Sequence, residues 1–328
     1  MTDRAIRLRH VSHRFGGSLA VDDLSLEVGK GEIYGFIGPN GAGKTTTIRI
    51  MATLLEPTEG RVEIDGIDAS LDPVGVRRVL GYMPDHSGVY ERITVREYLE
   101  FFAASAGVRG KSPVDAAVEL TGLGEWEGKL VATLSKGMRQ RLGLARVLLH
   151  DPKVLVLDEP ASDLDPRARV EMRDLLFELK DLGKTIFLSS HILSELDDVC
   201  TSVGIIERGR LLASGPIETV AAQNRLPAEA RTPADARAPD AVRVRKRLKL
   251  RVLGEAADVL AIVRGHPGVT AAAAFAAGFL DVEHEGDDQL VAELVRGLVT
   301  AGVGVVGVEP ERAELERIFL EITKGRPS

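Results

Sequence analysis

The segment EIYGFIGPNGAGKTTTIRI (Glu32 to Ile50) constrains this chain more than any other. A short apolar run ends in glycine, as a buried strand does when it feeds a loop. GPNGAGKT (Gly38 to Thr45) then spaces Gly, four residues, Gly-Lys-Thr. TTTIRIMATLL follows as a helix with Ile48, Met51 and Leu55 on one face. The glycines let the backbone curl until its N–H groups point inward at phosphate oxygens, and the helix adds the positive end of its dipole. The candidate phosphate-binding set is therefore Gly38, Pro39, Asn40, Gly41, Ala42, Gly43, Lys44, Thr45 and Thr46. Lys44 has the reach for β- and γ-phosphates, and the Thr45 hydroxyl is a magnesium ligand in such loops.

PKVLVLDEP (Pro152 to Pro160) supplies the other half of a phosphoryl-transfer site. It is a second buried strand that ends in two carboxylates. Asp158 at its end can hold magnesium beside the loop, and Glu159 can orient or deprotonate an attacking water. KTIFLSSH reads as a third buried strand. Between the last two lies a well-punctuated helix, with Asp165 at its N-cap, Pro166 in its first turn and Gly183 just past its end. Its apolar set is Met172, Leu175, Leu176 and Leu179. Strands alternating with helices imply an α/β core with a mainly parallel sheet. The first thirty residues alternate instead, as antiparallel strands with one buried face, and TSVGIIERGRLLASG reads as a hairpin.

The chain has 328 residues, enough for two domains. Its net charge of -7 gives no general pull toward nucleic acid or anionic lipid. Cys200 is the single cysteine, so no intramolecular disulfide forms, which fits a reducing compartment. The first residues lack the apolar core of a signal peptide, and no stretch approaches the roughly 18 to 20 apolar residues that span a bilayer. The expectation is a protein soluble by itself, whose membrane role needs a partner.

Composition shifts at residues 221–241, rich in alanine, proline and charge, which read as a linker between domains at 1–220 and 242–328. VRVRKRLKLRVL follows, with Val242, Val244, Leu248, Leu250 and Val252 on one strand face and Arg243, Arg245, Arg247, Lys249 and Arg251 on the other. That basic face suits anionic lipid or RNA, or is a solvated face that resists edge-to-edge pairing. The second reading is favoured, because no aromatics are interleaved for base stacking. A helix at Glu255–Arg264, a strand after it, a further strand at Phe279–His284, a helix at Asp287–Ala301, a strand at Val303–Val308 and a last helix at Arg312–Thr323 give a βαββαβ order, the ferredoxin-like arrangement.

Six motifs in order now carry a resemblance: the glycine-rich loop, GYMPD, LSKGM, LDE, SDLD and LSSH. Over about residues 3–220 the chain resembles the nucleotide-binding subunit of an ATP-binding cassette (ABC) transporter. Its tail, LERIFLEITKG, is similar to the C-terminal extension of drug- and lipid-type ABC-2 exporters. The resemblance implies an α/β P-loop ATPase cassette: a mixed sheet core, antiparallel N-terminal strands and a helical signature subdomain, followed by a small α+β domain. It also implies ATP and Mg2+ as cofactors, with Phe15 under adenine and His191 as a catalytic switch beside Glu159.

In that family the signature, here Leu134, Ser135, Lys136 and Gly137, faces the γ-phosphate held by a second subunit. Ser162 and Asp165 belong to the loop at the dimer seam. The implied partners are a separate integral-membrane permease and a second copy or a paralogous ATPase subunit, with no nucleic acid. The implied place is cytoplasmic, peripheral on the inner face of the cell membrane. Ser87 to Ala104, with aromatics but no obvious single core face, falls where the family receives the permease, through residues such as Tyr90 and Phe102. Three positions depart from the family pattern: Lys136 and Met138 replace Gly and Gln of the signature, and Asp85 stands for a glutamine as a candidate magnesium-facing residue. A soluble ABC ATPase acting on ribosomes or nucleic acid, and an ATP-gated regulatory module, stay open at this point.

Overall fold

The computed structural model describes residues 4–85, 88, 90–190, 193–197, 199–217, 219–220, 246–310 and 319. They divide after Ile217 into two compact units. The linker at 221–241 and nearly all of the last expected helix lie outside the described residues.

In the first unit, β1 (Arg4–Phe15) and β2 (Ser18–Gly29) pair antiparallel. With β4 (Glu59–Ile64) and β5 (Ile67–Asp68) they form a four-stranded sheet, ordered β2-β1-β4-β5. The second sheet has six strands. β3 (Ile33–Ile37), β6 (Leu80–Met83), β7 (Val154–Asp158), β8 (Thr185–Ser190) and β9 (Ser202–Glu207) run parallel, and β10 (Arg210–Pro216) closes it antiparallel. The order is β10-β9-β3-β8-β7-β6. Every residue of β3, β7 and β8 is buried, the composition expected of parallel strands covered on both faces.

Parallel strands end on one edge, and that places the site. Four neighbours, β3, β8, β7 and β6, deliver Gly38, Ser190, Asp158 and the Pro84-Asp85 turn side by side. In open α/β sheets this carboxyl edge is where ligands bind. Two helices frame it: α1 (Lys44–Met51) after β3, and α6 (Pro166–Asp181) after β7. α2 (Pro73–Val79) precedes β6, and α7 (Leu193–Asp197) follows β8. Helix α6 has the expected Asp165 cap, which accepts a hydrogen bond from the Ala168 N–H at 2.9 Å, and buries Met172, Leu175, Leu176 and Leu179. Helix α1 is shorter than its apolar spacing suggests. Thr53 turns left-handed at φ 57°, so Leu55 lies beyond the helix and packs on the core from a turn.

A helical layer, α3 (Val95–Ser105), α4 (Ser112–Leu120) and α5 (Lys136–Leu148), has its own core around Tyr98, Leu99, Val114, Leu123, Leu142 and Ala145. Helix α3 does have a core face, Val95, Tyr98, Leu99 and Ala103, and a reciprocal Thr94–Glu97 capping box starts it. The exposed Phe101 and half-buried Phe102 interrupt that face in the sequence.

The second unit has β11 (Lys246–Val252), α8 (Ala256–Arg264), β12 (Val269–Ala276), β13 (Phe279–His284), α9 (Asp288–Thr300) and β14 (Val305–Pro310). All neighbours pair antiparallel in the order β12-β13-β11-β14, the ferredoxin-like arrangement. Its core holds Leu248, Leu250, Val259, Val263, Leu280, Val282, Leu294 and Leu298. Two expectations change. β14 starts two residues late, because the Val303 N–H still closes the end of α9 on the Leu298 carbonyl at 2.9 Å. The basic strand β11 is interior, so edge protection does not explain its charges. Arg247 pairs in register with Glu283, Lys249 with Asp281 and Glu309, and the Arg251 guanidinium lies 5.5 Å from the Phe279 ring centroid. Within the described part of the basic row, Lys249 has acid on both sides.

Candidate functional site

The glycine-rich loop is shaped by close backbone approach. A Cβ on Gly38 would lie 2.4 Å from the Ile206 carbonyl oxygen. At Gly43, with φ 108°, it would lie 2.6 Å from the carbonyl oxygen of Ala20 in β2. Only glycine fits either place. Gly43 is also the N-cap of α1 and, having no side chain, caps nothing. The first-turn N–H groups of α1 therefore have no side-chain partner at their end, the arrangement that suits an anion. Lys44 is buried and donates to the Gly38 carbonyl at 2.6 Å, so its ammonium is folded back over the loop.

The carboxylates meet this loop. Asp158 is 2% exposed. Its Oδ1 accepts from the Ser189 hydroxyl at 2.7 Å, and Thr45 is a second hydroxyl partner. Burial pushes the Asp158 carboxyl above its ordinary value; Ser189 and Thr45 pull it back, while Glu159 and Asp85 add to the rise. Glu159 has φ 51°, a left-handed residue at a strand end, which costs of order 1–3 kcal/mol. Such a turn breaks strand alternation, and Glu159 Oε1 comes to 3.7 Å from Lys44 Nζ. Two adjacent carboxylates thus face two adjacent residues of α1, Asp158 with Thr45 and Glu159 with Lys44.

Ser189 lies inside LSSH, but the sequence alone gives its hydroxyl no role. Its hydroxyl donates to Asp158 and accepts from the Glu159 N–H at 3.0 Å, fixing both carboxylate residues at once. The usable signal is register: Asp158 and Ser189 are partners across β7 and β8.

The loop from Pro160 to Asp165 is tied from two sides. The Ser162 hydroxyl donates to Asp85 Oδ1 at 3.3 Å, and Lys136 Nζ lies 2.7 Å from Asp163 Oδ2. Ser135 is the N-cap of α5, its hydroxyl accepting from the Met138 N–H at 3.3 Å. Gly137 packs so near α6 that a Cβ would lie 3.0 Å from that of Ala168. Leu134 is buried in the helical core, whereas Ser135 and Lys136 are exposed. Phe15 stands 52% exposed at the tip of the β1–β2 hairpin. His191 lies outside the described residues.

In the helical layer the exposed aromatic pair is Tyr90 and Phe101, with ring centroids 5.5 Å apart. Phe102 instead packs on Tyr98 and lies 5.1 Å under the Arg146 guanidinium, so it is largely structural.

Thr45 and Asp158 offer two oxygens for a cation. Among the described residues, no group of three or more His, Cys, Asp or Glu side chains could hold a metal alone. That sparse set fits Mg2+, which keeps waters and substrate phosphates as its other ligands. No helix among the described residues is long and apolar enough to cross a membrane.

A family model described as "ABC transporter" matches residues 21–162. The chain is 42% identical over 221 residues to the bacitracin transport ATP-binding protein BcrA of Bacillus licheniformis, covering 67% of this chain and 72% of the relative. It is 36% identical over 226 residues to a daunorubicin resistance ATP-binding protein of Streptomyces coeruleorubidus, covering 68% and 72%. A solved ATP-binding subunit of an ABC transporter superposes with a TM-score of 0.62 at 29% identity, covering 68% of this chain and 95% of that one. With the loop and the carboxylates arranged on one sheet edge, these likenesses make the chain a member of the ABC transporter family, an ATP-binding and ATP-hydrolysing subunit that powers transport.

Proposed function

We propose that the chain binds Mg2+ and ATP on the α1 edge and hydrolyses ATP within a head-to-tail dimer that drives a separate membrane permease. The observation that carries this is the convergence of Lys44, Thr45, Asp158 and Glu159 at an α1 N-terminus without a side-chain cap.

The phosphates lie on the loop from Gly38 to Thr46, with Lys44 swinging from the Gly38 carbonyl to the β- and γ-oxygens. Thr45 and Asp158 hold Mg2+, which supplies charge neutralisation on the phosphates, and Asp85 lends a further negative charge nearby. Glu159 orients the attacking water and takes its proton. His191 contacts the γ-phosphate. Phe15 stacks on adenine.

Ser135, Lys136 and the Gly137 N–H, seated by Leu134, complete the γ-phosphate site of a second copy or a paralogous subunit. That is a helix N-terminus used in trans, and Ser162 and Asp165 line the seam. ATP closes the dimer and hydrolysis releases it. The permease docks on the exposed Tyr90–Phe101 pair, which holds the chain at the inner face of the membrane. The names of the relatives, a bacitracin transporter and a daunorubicin resistance protein, support export of an antibiotic-sized compound.

The test is a pull-down of tagged protein carrying Glu159→Gln from detergent-solubilised native membranes. A polytopic membrane protein in stoichiometric amount is the expected result. A soluble protein, or one bringing ribosomes or nucleic acid, sinks the permease-driven reading and leaves the ATPase.

A further inference from the structure

Phe15 does not stand alone at the hairpin tip. The His13 ring lies 4.5 Å from it, centroid to centroid, at an interplanar angle of 72°, an edge-to-face pair. Positions i and i+2 of one strand share a face, so the two rings are neighbours by strand geometry. Their burial differs. Phe15 is 52% exposed, as a surface offered to a ligand would be, whereas His13 is 8% exposed. A buried imidazole needs a partner, and His13 Nδ1 has one at 2.9 Å, the Glu56 carbonyl oxygen. A carbonyl only accepts, so Nδ1 carries the proton and donates. The hydrogen bond fixes the tautomer and the ring orientation together.

Glu56 belongs to the segment that leaves α1. The same segment grips β1 twice more, through the Thr58 N–H to the Ser12 carbonyl at 2.8 Å and the Arg14 N–H to the Thr58 hydroxyl at 3.1 Å. Farther along the hairpin, β2 meets the loop itself, since the Ala20 carbonyl closes over Gly43. The exposed aromatic is thus braced, by one imidazole, against the chain emerging from the phosphate-binding helix.

We propose that His13 is a positioning residue for nucleotide binding. It acts through Phe15, holding that ring as a stacking platform for the base at a fixed place relative to the phosphate loop. This rests on the reading of Phe15 as the base platform. A ring that is already oriented loses less freedom when a base stacks on it, so the brace converts into affinity for nucleosides and not for bare phosphates.

The test compares binding of ATP and of inorganic tripolyphosphate, each with Mg2+, to the full-length chain. Phe15→Ala is expected to weaken ATP and leave tripolyphosphate unchanged. His13→Ala is expected to weaken ATP roughly three- to tenfold, the range of an edge-to-face aromatic pair, and to leave tripolyphosphate unchanged. His13→Phe restores an aromatic edge without the hydrogen bond and should recover part of the loss. In a Phe15→Ala background, His13→Ala should add nothing. If Phe15→Ala leaves ATP affinity intact, the platform reading itself falls, and the inference with it. If Phe15→Ala weakens ATP but His13→Ala does not, or if His13→Ala weakens ATP and tripolyphosphate alike, the platform stands and the positioning role is wrong. Should His13→Ala fail to fold, the same comparison is made with His13→Phe against wild type. A reduced ATP affinity at constant tripolyphosphate affinity then supports the brace, and an equal change in both overturns it.

Discussion

Two helix N-termini carry the proposed nucleotide chemistry, and they are built differently. α1 begins at Gly43, which has no side chain and caps nothing, and the buried Lys44 follows it. α5 begins at Ser135, whose hydroxyl caps its own helix, and the exposed Lys136 after it is ion-paired with Asp163. The first end is enclosed by β2, β7 and the Ile206 carbonyl and has donors to spare. The second is self-satisfied and open. An end that must wrap phosphate in its own chain cannot afford a competing cap. An end that waits for a partner's ligand must be stable alone, and its hydroxyl must be able to change partners when the ligand arrives.

Breaking the α1 end gives the largest effect. Lys44→Ala is expected to lower ATP hydrolysis about 100-fold or more, measured by phosphate release, because it removes the principal charge on the transferring group. Breaking the α5 end separates folding from function. Aspartate caps a helix as well as serine does, so Ser135→Asp should melt like wild type while placing a negative charge where a phosphate is expected. Hydrolysis should fall roughly 10- to 100-fold, the worth of a charge-assisted hydrogen bond. Ser135→Ala, by contrast, should cost about 1 kcal/mol of stability in a denaturant titration. Wild-type hydrolysis in a Ser135→Asp variant that melts like wild type would mean that Ser135 is only a cap.

The buried carboxyl beside α1 gives a pH signature. The folded-state value of Asp158 is raised, so its ionisation opposes folding above that value and has no effect below the unfolded value. Without nucleotide, Asp158→Asn should therefore melt higher than wild type at neutral pH. The advantage should shrink as pH falls through the raised value. A gap that widens toward acid would show the opposite sign of shift. The smallest effect is at the exposed Lys136–Asp163 pair, where either alanine substitution should change stability by less than about 1 kcal/mol. A larger loss in a thermal melt would make that pair a structural tie between α5 and the loop before α6.

The α1 end was legible in the sequence because each position there has one chemical job and a strand and helix bracket it. Asp158 and Glu159 were legible as a strand end, and the shared edge followed from parallel order. Ser189 was not, because a serine in LSS is ambiguous until β8 is laid beside β7. The brace from His13 to Glu56 joins residues far apart in the chain, and no local pattern announces it. The place of β11 was misjudged for a related reason. Alternation fixes which face of a strand is buried, but an edge strand and an interior one alternate alike. The core face of α3 hid behind its exposed Phe101, which with Tyr90 makes the proposed docking surface.

The central claim is that each nucleotide is shared between the α1 end of one chain and the α5 end of another. Mixing two impaired variants tests it. A dimer of one Lys44→Ala chain and one Ser135→Asp chain contains one site with an intact loop facing an intact signature, and one site with both damaged. Steady-state hydrolysis measured on the mixture should rise well above the sum of the separate variants. If hydrolysis stays at that sum while exchange between tagged subunits is confirmed, both ends serve the same chain and the shared site is wrong.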